Sequence, residues 1–202
     1  LDDLNVLGVD SLACAIAFFN NREEVGNFNA AFNRYAESCK RSGVQLYYHN
    51  HFHEFQVFGD KSIFDLMIEQ MDKDLVMFEL DTYWTARGGQ DPIYWLKKLG
   101  SRCDLIHQKD LPATAKPDNI FEKVGYDGDI TLDTLIQSLG TGDPANMEFT
   151  EVGEGVLNIP SYIAAGRKYN QARYIFIEQD MSSRAELDSV ITSYANMSRL
   201  LA

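Results

Sequence analysis

VMFELDTYW, residues 76–84, is apolar through its first half and then turns to carboxylate, hydroxyl and aromatic groups. The same change, from apolar interior to polar end, recurs in VQLYYHN at 44–50, CDLIHQKD at 103–110 and YIFIEQD at 174–180. Two further apolar, β-rich runs lie at 9–17 and 147–152. Runs with nearly continuous apolar interiors fit strands buried on both faces, as in a parallel sheet.

Helical patterns separate these runs. Residues 22–42 place Val25, Phe28, Phe32, Tyr35 and Ala36 on roughly one face of a 3.6-residue period, and Gly43 stands where a helix-ending glycine belongs. Residues 62–71 repeat the pattern. Asp91-Pro92 is a start signal, an N-cap acid followed by proline at the first helical position, for a helix running to Gly100. Helices are also expected over 131–139, 160–169 and 183–201, with a long loop over 111–130 carrying Pro112, Pro117, Gly125 and Gly128.

Strand-helix alternation at this spacing means an α/β fold with a parallel sheet. Neither GxGxxG nor GxxxxGK[ST] follows the first run, which weakens the nucleotide-binding, doubly wound option. The alternative is a (β/α)8 TIM barrel, usually about 250 residues. Six units here, plus two of about 30 residues each, give that length. The expectation is therefore one domain over 1–202, a TIM barrel lacking its first two βα units, consistent with an opening residue, Leu1, that is not methionine.

The bulk numbers narrow the partners. The formal charge of −12 argues against nucleic acid, which recruits Lys and Arg, and against an anionic membrane surface. There is no apolar run of about 18 residues. Cys14, Cys39 and Cys103 are odd in number and widely spaced, so a reducing, cytoplasmic setting is the expectation and Cys39 and Cys103 read as core residues. A homo-oligomer is left open.

Side chains alternate along a strand, so His49 shares a face with His51, Glu79 with Asp81, His107 with Lys109, and Glu178 with Asp180. One choice of face turns His49, Asp81, His107 and Glu178 toward a common axis at strand C-termini, the active-site end of a β/α barrel. Two carboxylates with one or two imidazoles suit a divalent metal ion: Mn2+, Co2+, Mg2+ or Zn2+. Such an ion polarises a carbonyl and its neighbouring hydroxyl and stabilises an enediolate. Each residue also has a structural reading: a hydrogen-bonded strand histidine, a capping aspartate, a surface glutamate. Tyr83 and Trp84 read equally as core aromatics or as an apolar wall for a sugar ring.

Taken in order, YYHNHFHEF, ELDTYW, IHQKD, FTEVGEGVLNIP and YIFIEQD resemble the xylose isomerase-like TIM barrel superfamily, which includes sugar and sugar-phosphate isomerases and epimerases, inosose dehydratase and related keto-sugar lyases. The resemblance covers nearly the whole chain. It implies metal ligands at Asp81, His107 and Glu178, with a fourth ligand position at His49. Epimerases of the superfamily carry a proton-moving glutamate at that fourth position, and a histidine where this chain has Trp84. The dehydratase branch resembles the chain in its His-rich strand end, its HxKD motif and the glycine loop around Glu151, Gly153 and Gly155.

The resemblance implies a metal-dependent isomerase or epimerase acting on a small-molecule carbohydrate, with a lyase or dehydratase as the near alternative. His51 or Glu178 would move the proton on carbon and Lys109 would steady the developing oxyanion. Glu54 and Glu151 would hold substrate hydroxyls beside Trp84. A metal-dependent endonuclease on the same barrel is disfavoured by charge, and a non-catalytic sugar-binding subunit is the rival from a different class.

Overall fold

The computed structural model describes residues 1–115, 131, 133 and 148–202. After a short helix α1 (Asp2–Leu7), a strand β1 (Ser11–Cys14) leads to α2 (Arg22–Arg41) and β2 (Gln45–His49). A one-turn 3-10 helix (His53–Phe55) and a two-stranded ribbon of β3 (Val57–Phe58) and β4 (Lys61–Ser62) precede α3 (Ile63–Gln70). Next come β5 (Val76–Asp81), α4 (Thr82–Arg87), α5 (Pro92–Leu99) and β6 (Leu105–Gln108). The chain closes with α6 (Ile159–Ala165), which runs on into a π-helical turn (Gly166–Asn170), then β7 (Tyr174–Ile177) and α7 (Glu186–Leu201).

The helices form where local chemistry favours them. In α2 the buried positions Val25, Asn29, Phe32, Ala36 and Cys39 step along one face. Asn21 accepts from the Glu24 N–H at the start, Glu23 and Glu24 fill the first turn, and Lys40 and Arg41 fill the last, each matching the helix dipole. Gly43 follows at φ +74°, a left-handed position that suits glycine. Asp91 caps α5 through the Ile93 N–H, with Pro92 first in the helix.

Strands β1, β2, β5, β6 and β7 form one five-stranded sheet in that order, every neighbouring pair parallel. Register sorts the side chains into two faces. Leu46 pairs with Val76, Tyr48 with Phe78, and Leu80 with Ile106, and all six belong to the cluster packed under α2, α3 and α5. The other face carries Tyr47 opposite Met77, His49 opposite Glu79, Asp81 opposite His107, and His107 opposite Phe176. The strands therefore hide a two-residue alternation inside what reads as a continuous apolar run. Outward positions build the core, and inward positions become polar toward the C-terminal ends. The five parallel strands among the described residues, wrapped by helices, make a partial β/α barrel.

Three expectations change. The run 76–84 ends as strand at Asp81, whose side chain turns the backbone into α4 by accepting from the Trp84 N–H. The run 147–152 is not a sheet strand in its described part, so β6 pairs directly with β7; only Thr150 forms a bridge, to Asp110. The run 9–17 keeps strand geometry over Ser11–Cys14 alone. The helix expected at 131–139 and the loop at 116–130 fall outside the described residues, apart from residues 131 and 133. Among the described residues, β1 and β7 each have a sheet neighbour on one side only, and no helix is long and apolar enough to cross a membrane. Cys14, Cys39 and Cys103 are unpaired.

Candidate metal centre

The inward face delivers its polar groups to one end of the sheet. His49 ends β2, Asp81 ends β5, His107 lies one residue before the end of β6, and Glu178 follows β7 directly. One ligand atom from each of these four residues lies within 4.8 Å of every other. His107 Nδ1 is 2.9 Å from Glu178 Oε2, His49 Nε2 is 3.9 Å from Asp81 Oδ2, and the two imidazoles stand 4.3 Å apart, centroid to centroid. The four residues expected as ligands from strand position are thus brought together.

Lys109, two residues beyond His107 and on the same face, reaches between the carboxylates. Its ammonium lies 3.1 Å from Asp81 Oδ2, contacts Glu178 Oε2 and is 3.8 Å from Asp180, and the residue is 1% exposed. Glu79 completes the group, with Oε1 3.0 Å from His107 Nε2 and Oε2 3.9 Å from His49 Nδ1. Four carboxylates therefore surround the two cationic groups Lys109 and His107.

The electrostatics follow from that crowding. Burial works against charge on His107, but hydrogen bonds to Glu178 and Glu79 overcome it and raise its pKa to about 9. His49, buried and facing the positive His107 and Lys109, falls to about 3. His51 falls well below the ordinary histidine value, through burial first and then its neighbours His49 and His53. The His107 hydrogen bond holds Glu178 far below the usual carboxylate range; burial opposes this and Lys109 reinforces it. Burial pushes Asp180 upward, and repulsion from Glu178 and Asp81 adds to it against the pull of Lys109.

The donor set fits a divalent cation. It combines two neutralisable imidazoles with carboxylate oxygens from Asp81 and Glu178, a mixture suited to Zn2+, Mn2+ or Co2+. Among the described residues, buried His49 Nδ1, His51 Nδ1 and Trp84 Nε1 have no hydrogen-bond partner. The surplus of carboxylates over cations leaves uncompensated negative charge where the four ligand atoms converge.

Asp81 is placed for both readings given from sequence. Its Oδ1 accepts from the Trp84 N–H at 2.8 Å, capping α4, while Oδ2 faces Lys109 and His49. Its own N–H donates to Asn50 Oδ1 at 3.0 Å, which holds the end of β5 against β2. His51 lies beside the cluster, 5.0 Å from the His49 ring and 5.5 Å from Trp84. Trp84 is buried against Phe52, Tyr83 and Phe149, with the Lys109 ammonium 5.9 Å from its ring centroid.

The two glutamates expected at substrate hydroxyls are placed differently. Glu54 is wholly buried; its oxygens accept from Tyr48 OH at 2.7 Å and from the His51 N–H at 2.8 Å, so it braces the histidine-rich turn. Glu151 is also buried and accepts from Ser182 Oγ at 2.9 Å, tying its loop to the segment after β7.

Three residues of the site had no role assigned from sequence. Glu79 was legible as Asp81's partner two positions earlier, on the same face. Asn50 carried no signal of its own. Asp110, the last residue of IHQKD, is 1% exposed and accepts four backbone N–H groups: Leu111 at 2.9 Å, Gly153 at 2.9 Å, Gly155 at 3.0 Å and Leu157 at 3.2 Å. A Cβ on Gly155 would stand 2.2 Å from Asp110 Oδ1. The glycines of FTEVGEGVLN are thus the cradle for this carboxylate, and Asp110 winds the loop that follows β6.

A partial β/α barrel with a His–Asp–His–Glu set at its strand C-termini is an arrangement that could hold a metal ion. The chain shares its fold with the xylose isomerase-like TIM barrels. An inosose dehydratase of Mesomycoplasma hyopneumoniae strain 7448 is 31% identical over 170 residues, covering 83% of this chain and 50% of the relative. The chain thus spans about half the length of the curated relatives it matches. A sugar phosphate isomerase/epimerase structure from Parabacteroides distasonis superposes with a TM-score of 0.69 at 24% identity, over 94% of this chain and 57% of that one. The IOLI protein with a zinc atom also gives 0.69, at 12% identity, over 99% of this chain and 66% of its own. No family model matches the chain.

Proposed function

We propose that the chain carries the metal-binding half of a lyase or dehydratase acting on a keto-sugar or keto-cyclitol. The carrying observation is the fourth corner of the centre. It is His49, an imidazole, rather than a carboxylate able to serve as a second base, and a single further imidazole, His51, stands beside it. The similarity to inosose dehydratases supports the same reading.

A divalent ion at His49, Asp81, His107 and Glu178 would supply Lewis-acid polarisation of a ketone and its neighbouring hydroxyl. The chain's own residues supply the rest. His51 is held neutral chiefly by burial, so its free nitrogen can accept the proton from the carbon next to the ketone. The freed electron pair forms the carbon–carbon double bond as the β-carbon to oxygen bond breaks. The departing oxygen takes a proton, which the His51 imidazolium can return, and leaves as water or an alcohol. The products are an enone and that leaving group, and no oxidant is required. Lys109, whose carboxylate neighbours hold it charged against burial, stabilises negative charge developing on the ketone oxygen. Trp84 walls the site with an apolar face.

Isomerisation or epimerisation, the first expectation from the sequence, becomes the second reading, supported by the likeness to the sugar phosphate isomerase/epimerase fold. Incubation with an inosose or a 3-keto-glycoside separates the two. The lyase reading expects a growing conjugated-enone absorbance that is lost on chelation and in His51→Ala. Aldose–ketose exchange with solvent deuterium uptake, and no enone, would refute it.

A further inference from the structure

Glu79 lies one alternation deeper in β5 than Asp81 and points to the same face. Its side chain is 7% exposed, and among the described residues no Lys or Arg lies within ion-pair distance of it. A buried carboxylate lacking such a partner is costly unless other groups compensate it. Here the groups beside it are two imidazoles, and both are candidate ligands. Oε1 is 3.0 Å from His107 Nε2, on the ring edge opposite the Nδ1 that faces Glu178. Oε2 is 3.9 Å from His49 Nδ1, opposite the Nε2 that faces Asp81. One carboxylate thus stands behind both rings while their other nitrogens face Glu178 and Asp81.

We propose that Glu79 is a positioning residue that fixes the proton of His107 on Nε2, and steers the ring of His49, so that each presents its lone pair to a metal ion. The inference rests on the metal-centre reading of His49, Asp81, His107 and Glu178. A carboxylate behind a ligating imidazole sets its tautomer and orientation and raises its basicity, and losing such a partner typically costs 10–100-fold in metal affinity. Glu79 is set back from the ligand atoms by its depth in the strand, so its effect passes through the rings.

The test titrates Zn2+ into the full chain against a chromophoric chelator, using the parent, Glu79→Gln and Glu79→Met. Circular dichroism monitors folding, and imidazole 1H–15N correlation spectra read the tautomer. The expected result is a roughly 10–100-fold weaker Kd in Glu79→Met. Glu79→Gln, which keeps an acceptor oxygen but no charge, should fall between that variant and the parent. The zinc-loaded parent should show the Nε2–H form of His107, and Glu79→Met should lose it. If Glu79→Met does not fold, Glu79→Gln decides. A folded variant that binds within twofold of the parent with an unchanged His107 signature overturns the positioning role alone. A parent chain that takes up no Zn2+ overturns the metal-centre reading and the role of Glu79 with it.

Discussion

Replacing Asp110 by Asn changes one oxygen of a carboxylate that gathers four backbone N–H groups. Oδ2 accepts from Gly153 and Gly155, and Oδ1 from Leu111 and Leu157. The amide keeps one acceptor oxygen for one of these pairs and turns its NH2 toward the other, donor against donor. Two charge-assisted bonds are lost at about 1.5–3 kcal/mol each, or about 3–6 kcal/mol together. The site is 1% exposed, so water offers little replacement. Against a typical total stability of about 5–15 kcal/mol, that loss either unfolds the chain or frees the loop around Gly153–Gly155. Urea unfolding followed by emission from the buried Trp84 and Trp95 measures the global loss, and amide exchange at Gly153, Gly155 and Leu157 measures the local one. An Asp110→Asn chain within about 0.5 kcal/mol of the parent, the range of a neutral surface change, with those amides still protected, would refute the account.

Other outcomes follow from the same contacts. Asn50→Ala removes the buried acceptor of the Asp81 N–H and should cost about 1–3 kcal/mol while weakening zinc binding; unchanged binding would mean that Asp81 holds its place without Asn50. Lys109→Met leaves Asp81 and Glu178 without their ammonium. The metal-free variant should lose about 3–5 kcal/mol and recover much of it in a thermal melt with added Zn2+; no recovery would count against the centre. Metal uptake should be pH-dependent, because His107, raised to about 9, must shed a proton to ligate. Apparent affinity should climb by up to about tenfold per pH unit below that value and then level; a flat profile from pH ~6.5 to ~8.5 in competition titrations would contradict the assignment. In the metal-free chain the sign for stability is opposite. The raised His107 stabilises the fold fully below its ordinary value of 6.5, and that contribution is lost as pH rises through about 9.

The strand ends were legible because parallel β/α architecture places polar residues there, and the two-residue period put Asp81 with Glu79 and His107 with Lys109. The end of β5 was less so: 76–84 reads as one apolar run, and only the capping geometry of Asp81 shows where strand gives way to α4. The same limit explains 147–152. Glu148, Phe149 and Val152 are buried like strand residues, yet the described segment is held by Asp110, by Tyr83 OH donating to the Glu148 carbonyl and by Arg87 paired with Glu148. Those partners lie roughly forty to sixty-five residues away in sequence, so no local pattern announces them. Glu54 and Glu151 show the converse: residue type pointed to sugar hydroxyls, whereas burial gives both carboxylates partners inside the chain.

The divided carboxylate of Asp81 has a practical consequence. One oxygen sets the first turn of α4 at Trp84, and the other faces the ligand cluster, so a change of charge at the cluster is passed to the neighbourhood of a buried indole. The indole also senses Lys109 and His51 directly. Trp95 sits apart, in the cluster packed on the outer face of the sheet. With Trp95 replaced by Phe, emission from Trp84 alone should shift as Zn2+ is titrated into the chain, a label-free optical gauge of the proposed centre.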